Sequence, residues 1–88
     1  NKMLFKSESE VITILYITKN NYNSFKKTVT LQEVVNNTNI KYITLYKVIQ
    51  KFIQEGYLKE GLKKGKYKTF FATSEGIKIS NSIRNELK

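Results

Sequence analysis

The stretch from Lys41 to Leu58, KYITLYKVIQKFIQEGYL, restricts the fold of this chain more than any other. Leu45, Ile49, Phe52 and Ile53 recur at helical spacing and form one buried stripe, while Lys41, Thr44, Lys47 and Lys51 fall largely outside it. One face packs and the other offers positive charge. At Glu55-Gly56 the helix stops, because glycine adopts the left-handed C-terminal conformation at little cost, and Tyr57-Leu58 restarts the chain as a strand. The spacing therefore predicts a basic helix over 41–55 that leads straight into a β-strand.

Upstream, Ser7-Glu8-Ser9-Glu10 is a capping box, in which the serine hydroxyl and the Glu10 carboxylate satisfy free amides at a helix start. The helix it opens runs over 8–19. Val11, Ile12, Ile14, Leu15, Tyr16 and Ile17 leave that helix only a narrow polar side, more apolar surface than one small core requires. Either Leu4, Phe5 and the last helix cover the second face, or a second copy of the chain does, with Ile14 and Ile17 at the interface. Residues 20–27 are rich in turn formers and read as a loop, and Thr28-Val29-Thr30 is long enough for a short strand against the later hairpin. Thr30-Leu31-Gln32-Glu33 is a second capping box, opening a short helix over 31–37 with Leu31, Val34 and Val35 inward. Asn36 to Asn39 form a turn and Ile40 fills the angle before the next helix, which gives a helix-turn-helix.

Downstream, Tyr57–Glu60 and Lys66–Thr73 bracket the glycine-bounded turn Gly61–Gly65 and form a hairpin. Tyr67, Phe70 and Phe71 carry its packing, and Lys59, Lys63, Lys64, Lys66 and Lys68 make it positive, either to lie along phosphates or as protection of a sheet edge. Thr73 caps a last helix over 74–87, whose stripe of Ile77, Ile79, Ile83 and Leu87 is imperfect. Gly76 and the repeated Ser and Asn make it weak in isolation, so it persists by packing.

The run Thr44 to Phe52 followed by Glu55-Gly56-Tyr57-Leu58 resembles the recognition helix and following strand of winged helix-turn-helix DNA-binding proteins, where T-V-Y-R-x-L-x-x-L precedes G-L-I. The similarity extends through Val35, Asn39 and Ile40 upstream. Downstream it reaches Ala72-Thr73-Ser74-Glu75-Gly76, which is similar to the L-T-x-x-G start of the last helix in MarR-like and PadR-like regulators. Asn39 stands where the family usually has glycine, and asparagine tolerates the left-handed conformation. Lys47 stands where arginine is common and lacks its bidentate fork, which favours phosphate contact over base reading.

The resemblance implies a single domain over 1–88, α+β and mostly helical: a three-helix core, a β-hairpin wing over 57–73 and a C-terminal helix. A helix fits the major groove and presents its first two turns to base edges and phosphates. Lys41, Tyr42, Thr44, Tyr46 and Lys47 are accordingly the expected DNA contacts, with Lys51 farther along toward the backbone and the wing lysines on phosphates. Tyr42 and Tyr46 could instead pack on the preceding helix, and Ile43 could touch thymine methyls or fill a gap. Terminal helices of related regulators often dimerise, which adds Ile79 and Ile83 to the expected interface.

Composition limits the remaining classes. Eighty-eight residues make one domain with a modest core. The absence of cysteine and histidine, with only seven scattered carboxylates, leaves no candidate catalytic or metal-binding constellation, so neither an enzyme nor a cofactor is expected. No apolar run suits a membrane span or a signal peptide, which points to the cytoplasm; the start at Asn1 suits a trimmed chain or a piece of a longer one. Of the net charge of +9, residues 41–68 hold eight lysines against two glutamates, the footprint of a polyanion binder. The leading expectation is sequence-specific binding of double-stranded DNA as a homodimeric transcriptional regulator. The alternatives are a centromere-binding adaptor of plasmid or phage partition, as in TubR-like proteins, the DNA-binding part of a replication initiator, or a winged-helix module for an acidic protein partner. A small-molecule effector is left open.

Overall fold

The computed structural model of the chain describes residues 7–87. Its elements are α1 (Glu8–Lys19), β1 (Val29–Thr30), α2 (Leu31–Thr38), α3 (Tyr42–Gln54), β2 (Leu58–Glu60), β3 (Thr69–Ala72) and α4 (Ser74–Leu87). The helix starts follow from their caps. Ser7 Oγ accepts the Glu10 amide at 3.2 Å, Thr30 Oγ1 accepts that of Glu33 at 3.3 Å, and Thr73 Oγ1 accepts that of Gly76 at 3.1 Å. Only half of the first capping box forms, because the Glu10 carboxylate crosses to Lys51 instead of returning to the helix start. Left-handed residues close the first three helices, beginning with Asn21 at φ 62° after α1, its amide donating to Thr18 O at 3.1 Å. Asn39 at φ 62° closes α2, its amide donating to Val35 O at 3.1 Å. Gly56 at φ 84° closes α3, with the Gly56 amide on Ile53 O at 3.1 Å and the Tyr57 amide on Phe52 O at 2.9 Å.

The strands form one antiparallel sheet in the order β1-β3-β2, with Val29 opposite Phe70 and Leu58 opposite Ala72. Regular pairing is shorter than the expected strands of the hairpin. Beyond Glu60 and Thr69 the two arms are joined mainly near the tip, where Lys64 and Tyr67 exchange backbone hydrogen bonds at 3.1 and 3.0 Å around Gly65. At the other end, the junction of α3, β2 and α4 is tied by Thr73, whose Oγ1 donates to Gly56 O at 2.6 Å and whose amide donates to Tyr57 O at 3.0 Å. A side chain at Gly76 would collide with the Tyr57 carbonyl, which is why the motif after β3 requires glycine there.

The core runs through all layers: Ile14 and Ile17 of α1, Val34, Ile40, Leu45, Val48, Ile49 and Phe52 around the helix-turn-helix, Leu58 and Phe70 of the sheet, and Ile83 of α4. Ile40 is buried between α2 and α3, as its position in the turn predicts. Val48 joins the α3 stripe, while Ile53 is only half-buried. Two of the polar groups within the core are bonded inside their own helices: Thr13 Oγ1 donates to Ser9 O at 2.7 Å and Ser80 Oγ to Ile77 O at 2.9 Å.

Three of the residues expected at a dimer interface belong to this core. Ile14, Ile17 and Ile83 are each 0% exposed, because α4 and α3 close over α1 within the single chain. Ile79 alone of the four remains half-buried. The apolar surface that α1 retains consists of Val11, Ile12, Leu15 and Tyr16. Leu4 and Phe5 lie outside the described residues, as does the side chain of Leu87. No helix among the described residues is long and apolar enough to cross a membrane.

Candidate nucleic-acid interface

Helix α3 is sharply two-sided. Leu45, Val48, Ile49 and Phe52 face the core, and Lys41, Tyr42, Ile43, Thr44, Tyr46 and Lys47 are all exposed. Tyr42 and Tyr46 are half exposed, so they do not pack away against α2, and Ile43 at 70% exposure fills no gap. The early turns thus present two lysines, two phenols, a hydroxyl and a methyl-rich side chain. Lys41 sits at the N-cap of α3 without a side-chain capping bond, which leaves the first amides of the helix open to an anion.

The hairpin brings its own cations to the same region of the molecule. Lys59, Lys63, Lys64, Lys66 and Lys68 are exposed, and Lys66 and Lys68 line a 690 Å³ groove together with Tyr42 and Tyr46. Lys64 Nζ lies 3.5 Å from Glu33 Oε1 on α2, and Lys68 Nζ lies 3.9 Å from Glu60 Oε2 across the hairpin. Exposed pairs of this kind contribute little, about 0–1 kcal/mol, so phosphates can displace the carboxylates. Among the described residues, Lys41, Lys47, Lys59, Lys63 and Lys66 make no carboxylate pair.

Two expected roles change. Lys51 turns toward α1, where its Nζ donates to Glu10 Oε2 at 2.8 Å, and this hydrogen bond raises its pKa above the ordinary 10.5. It ties α3 to α1, and a phosphate would have to compete with Glu10 for it. Tyr67, expected to pack under the hairpin, is 60% exposed with Lys66 Nζ 5.6 Å from its ring centroid. The signal for this was present in the sequence: Gly65-Lys66 makes the tight tip, and a residue next to the tip lies too far out to reach the core. Gln32 and Gln50 also line the groove, and the helical pattern singled out neither.

No family model matches the chain. The DNA-binding protein TubR of Clostridium botulinum C phage is 30% identical over 77 residues, which span 88% of this chain and 95% of that protein. The chain belongs to the TubR family. The solution structure of the DNA-binding TubR fragment from Clostridium botulinum, 31% identical, aligns with a TM-score of 0.73 over 92% of this chain and 99% of that one. TubR from Bacillus megaterium pBM400 has the same fold at 14% identity, with a TM-score of 0.77 over 88% of this chain and 84% of its own. The transcriptional regulator SlyA shares the fold at 13% identity and a TM-score of 0.73, over 91% of this chain and 54% of its own. The winged helix-turn-helix architecture expected of the sequence is therefore that of the TubR family and of MarR-like regulators.

Proposed function

We propose that this TubR-family chain binds double-stranded DNA sequence-specifically as a homodimer in the cytoplasm, with α3 in the major groove and the β2–β3 wing along the flanking backbone. The observation that carries the reading is the clustering of exposed Lys41, Tyr42, Thr44, Tyr46 and Lys47 on one face of α3, beside a wing with five exposed lysines. A B-form major groove admits one helix and offers distinguishable base edges to its first turns, and the phosphates on either side take the cations. The DNA-binding relatives support the same polymer as partner.

Of the uses that this fold serves, membership of the TubR family favours the partition adaptor, which assembles on repeated sites, over the transcriptional regulator. The likeness to SlyA supports the second use at the level of fold. Footprinting on the DNA that neighbours the coding sequence separates them: an adaptor protects an extended array of repeats, a regulator one or two short palindromes. Titration at several salt concentrations tests DNA binding itself. About six phosphate contacts would lower affinity by roughly a thousandfold between 50 and 200 mM salt, whereas weak, salt-insensitive binding to every duplex would overturn the reading.

A further inference from the structure

The groove between α3 and the wing has a chemistry that duplex DNA does not use fully. Its 690 Å³ are lined by Tyr42 and Tyr46, one turn apart on α3, and by Tyr67 at the wing tip, and its walls are more apolar than polar. All three tyrosines are at least half exposed. Gln50 supplies an amide to the same groove, and Lys66 and Lys68 supply cations. In a B-form duplex the faces of the bases are buried in the stack, so a bound helix meets only base edges, sugars and phosphates. Exposed phenol rings gain most from a flat apolar face, and the nucleic acid that presents such faces beside phosphates is an unpaired strand.

We propose that this groove is a seat for single-stranded DNA, taking one or two unstacked bases against Tyr42, Tyr46 and Tyr67, with the adjoining phosphates on Lys66 and Lys68. The occupant follows from two kinds of complementarity at one place. The rings suit base faces of any identity, and the Gln50 amide can both donate to and accept from a base edge. The lysines match the charge of the backbone, and the volume exceeds what a side chain of a protein partner would require. This inference goes beyond duplex binding and does not need it to be correct, since a strand could use the groove whether or not α3 reads a duplex.

The test measures fluorescence anisotropy of the full chain with a labelled ten-residue oligothymidylate and with an abasic deoxyribose-phosphate strand of equal length and charge, at one salt concentration. The expected result is at least tenfold tighter binding of the base-bearing strand, a preference reduced roughly tenfold in Tyr67→Ala and retained in Tyr67→Phe, which keeps the ring. Equal affinity for the two strands would overturn the proposal, because charge alone would then explain binding. An undiminished preference in Tyr67→Ala would also overturn it. A duplex titration run beside these distinguishes the two readings: duplex binding without a preference for bases removes only the single-strand seat, and a preference for bases without duplex binding removes only the major-groove reading.

Discussion

The buried carboxylate of Glu10 ties α1 to α3 through Lys51. Its side chain is 11% exposed, its Oε2 holds Lys51 at 2.8 Å, and its Oε1 has no partner among the described residues. Removing the lysine leaves a charge in a place where water cannot reach it well, so Lys51→Met should lower the melting temperature at neutral pH. The sign of the pH dependence follows from the raised pKa of Lys51. From neutral pH up to 10.5 the pair contributes in full, and it is lost as pH rises through the raised value, so the gap between wild type and variant should persist from pH 7 to 10 and close only above 10.5. A gap that does not change up to strongly alkaline pH would show that Lys51 acts by packing alone. The same geometry sets Lys51 apart from its neighbours in DNA binding. Tyr42, Thr44 and Lys47 are exposed on the early turns of α3 and, among the described residues, make no carboxylate pair, and alanine at each should cost about 1–3 kcal/mol of discrimination between specific and random DNA while leaving the fold intact. Competition binding measures this; full preference in all three variants would exclude α3 as the reading helix.

At the level of elements, the helix starts and stops were legible because the sequence carries their chemistry locally. Ser7, Thr30 and Thr73 accept the amides three residues on, and Asn39 and Gly56 take positive φ, so α1 and α4 span the residues that the pattern predicts and α2 and α3 differ only at their ends. What periodicity could not reveal was the identity of the covering surface. Ile14, Ile17 and Ile83 lie on apolar faces, and the same pattern serves a core or an interface; the path of α4 across α1 decides for the core. Likewise Lys51 has the spacing of a solvated charge, and only the approach of Glu10, 41 residues earlier, gives it another role. The wing illustrates the opposite case, in which a charged hairpin keeps the role its composition suggests. Lys63, Lys64 and Lys66 are all exposed and at most weakly paired, so the triple alanine variant should weaken binding to every duplex alike. The slope of log affinity against log salt should fall by up to about 2.7, near 0.9 for each phosphate contact removed. Loss confined to one sequence would show that the wing reads bases.

For the whole molecule, the proposed duplex reading requires one domain with a single α3 to reach the affinity of a specific site, and symmetry is the economical answer. The surface available for it is not the one with the largest aliphatic residues, since those are already inside. On the outer side of α1, Ile12, Leu15 and Tyr16 remain half-buried, and with Lys19, Arg84 and the end of α2 they line a shallow 490 Å³ depression. A second copy related by a two-fold axis could lay the same helix into it and bring the two α3 helices toward successive major grooves, about 34 Å apart. Aspartate at Ile12 or Leu15 should then give a soluble monomer in sedimentation, with the helical circular dichroism of the wild type. Binding to a two-half-site duplex should fall about a hundredfold or more, because the second contact loses its effective concentration, while binding to one half-site is unchanged. Ile14→Asp serves as the contrast: it places a charge in the core and should unfold the chain, at a cost of several kcal/mol, without informing on the dimer. Dimers that persist in both Ile12→Asp and Leu15→Asp would move the interface off this face of α1 and onto another surface of the fold.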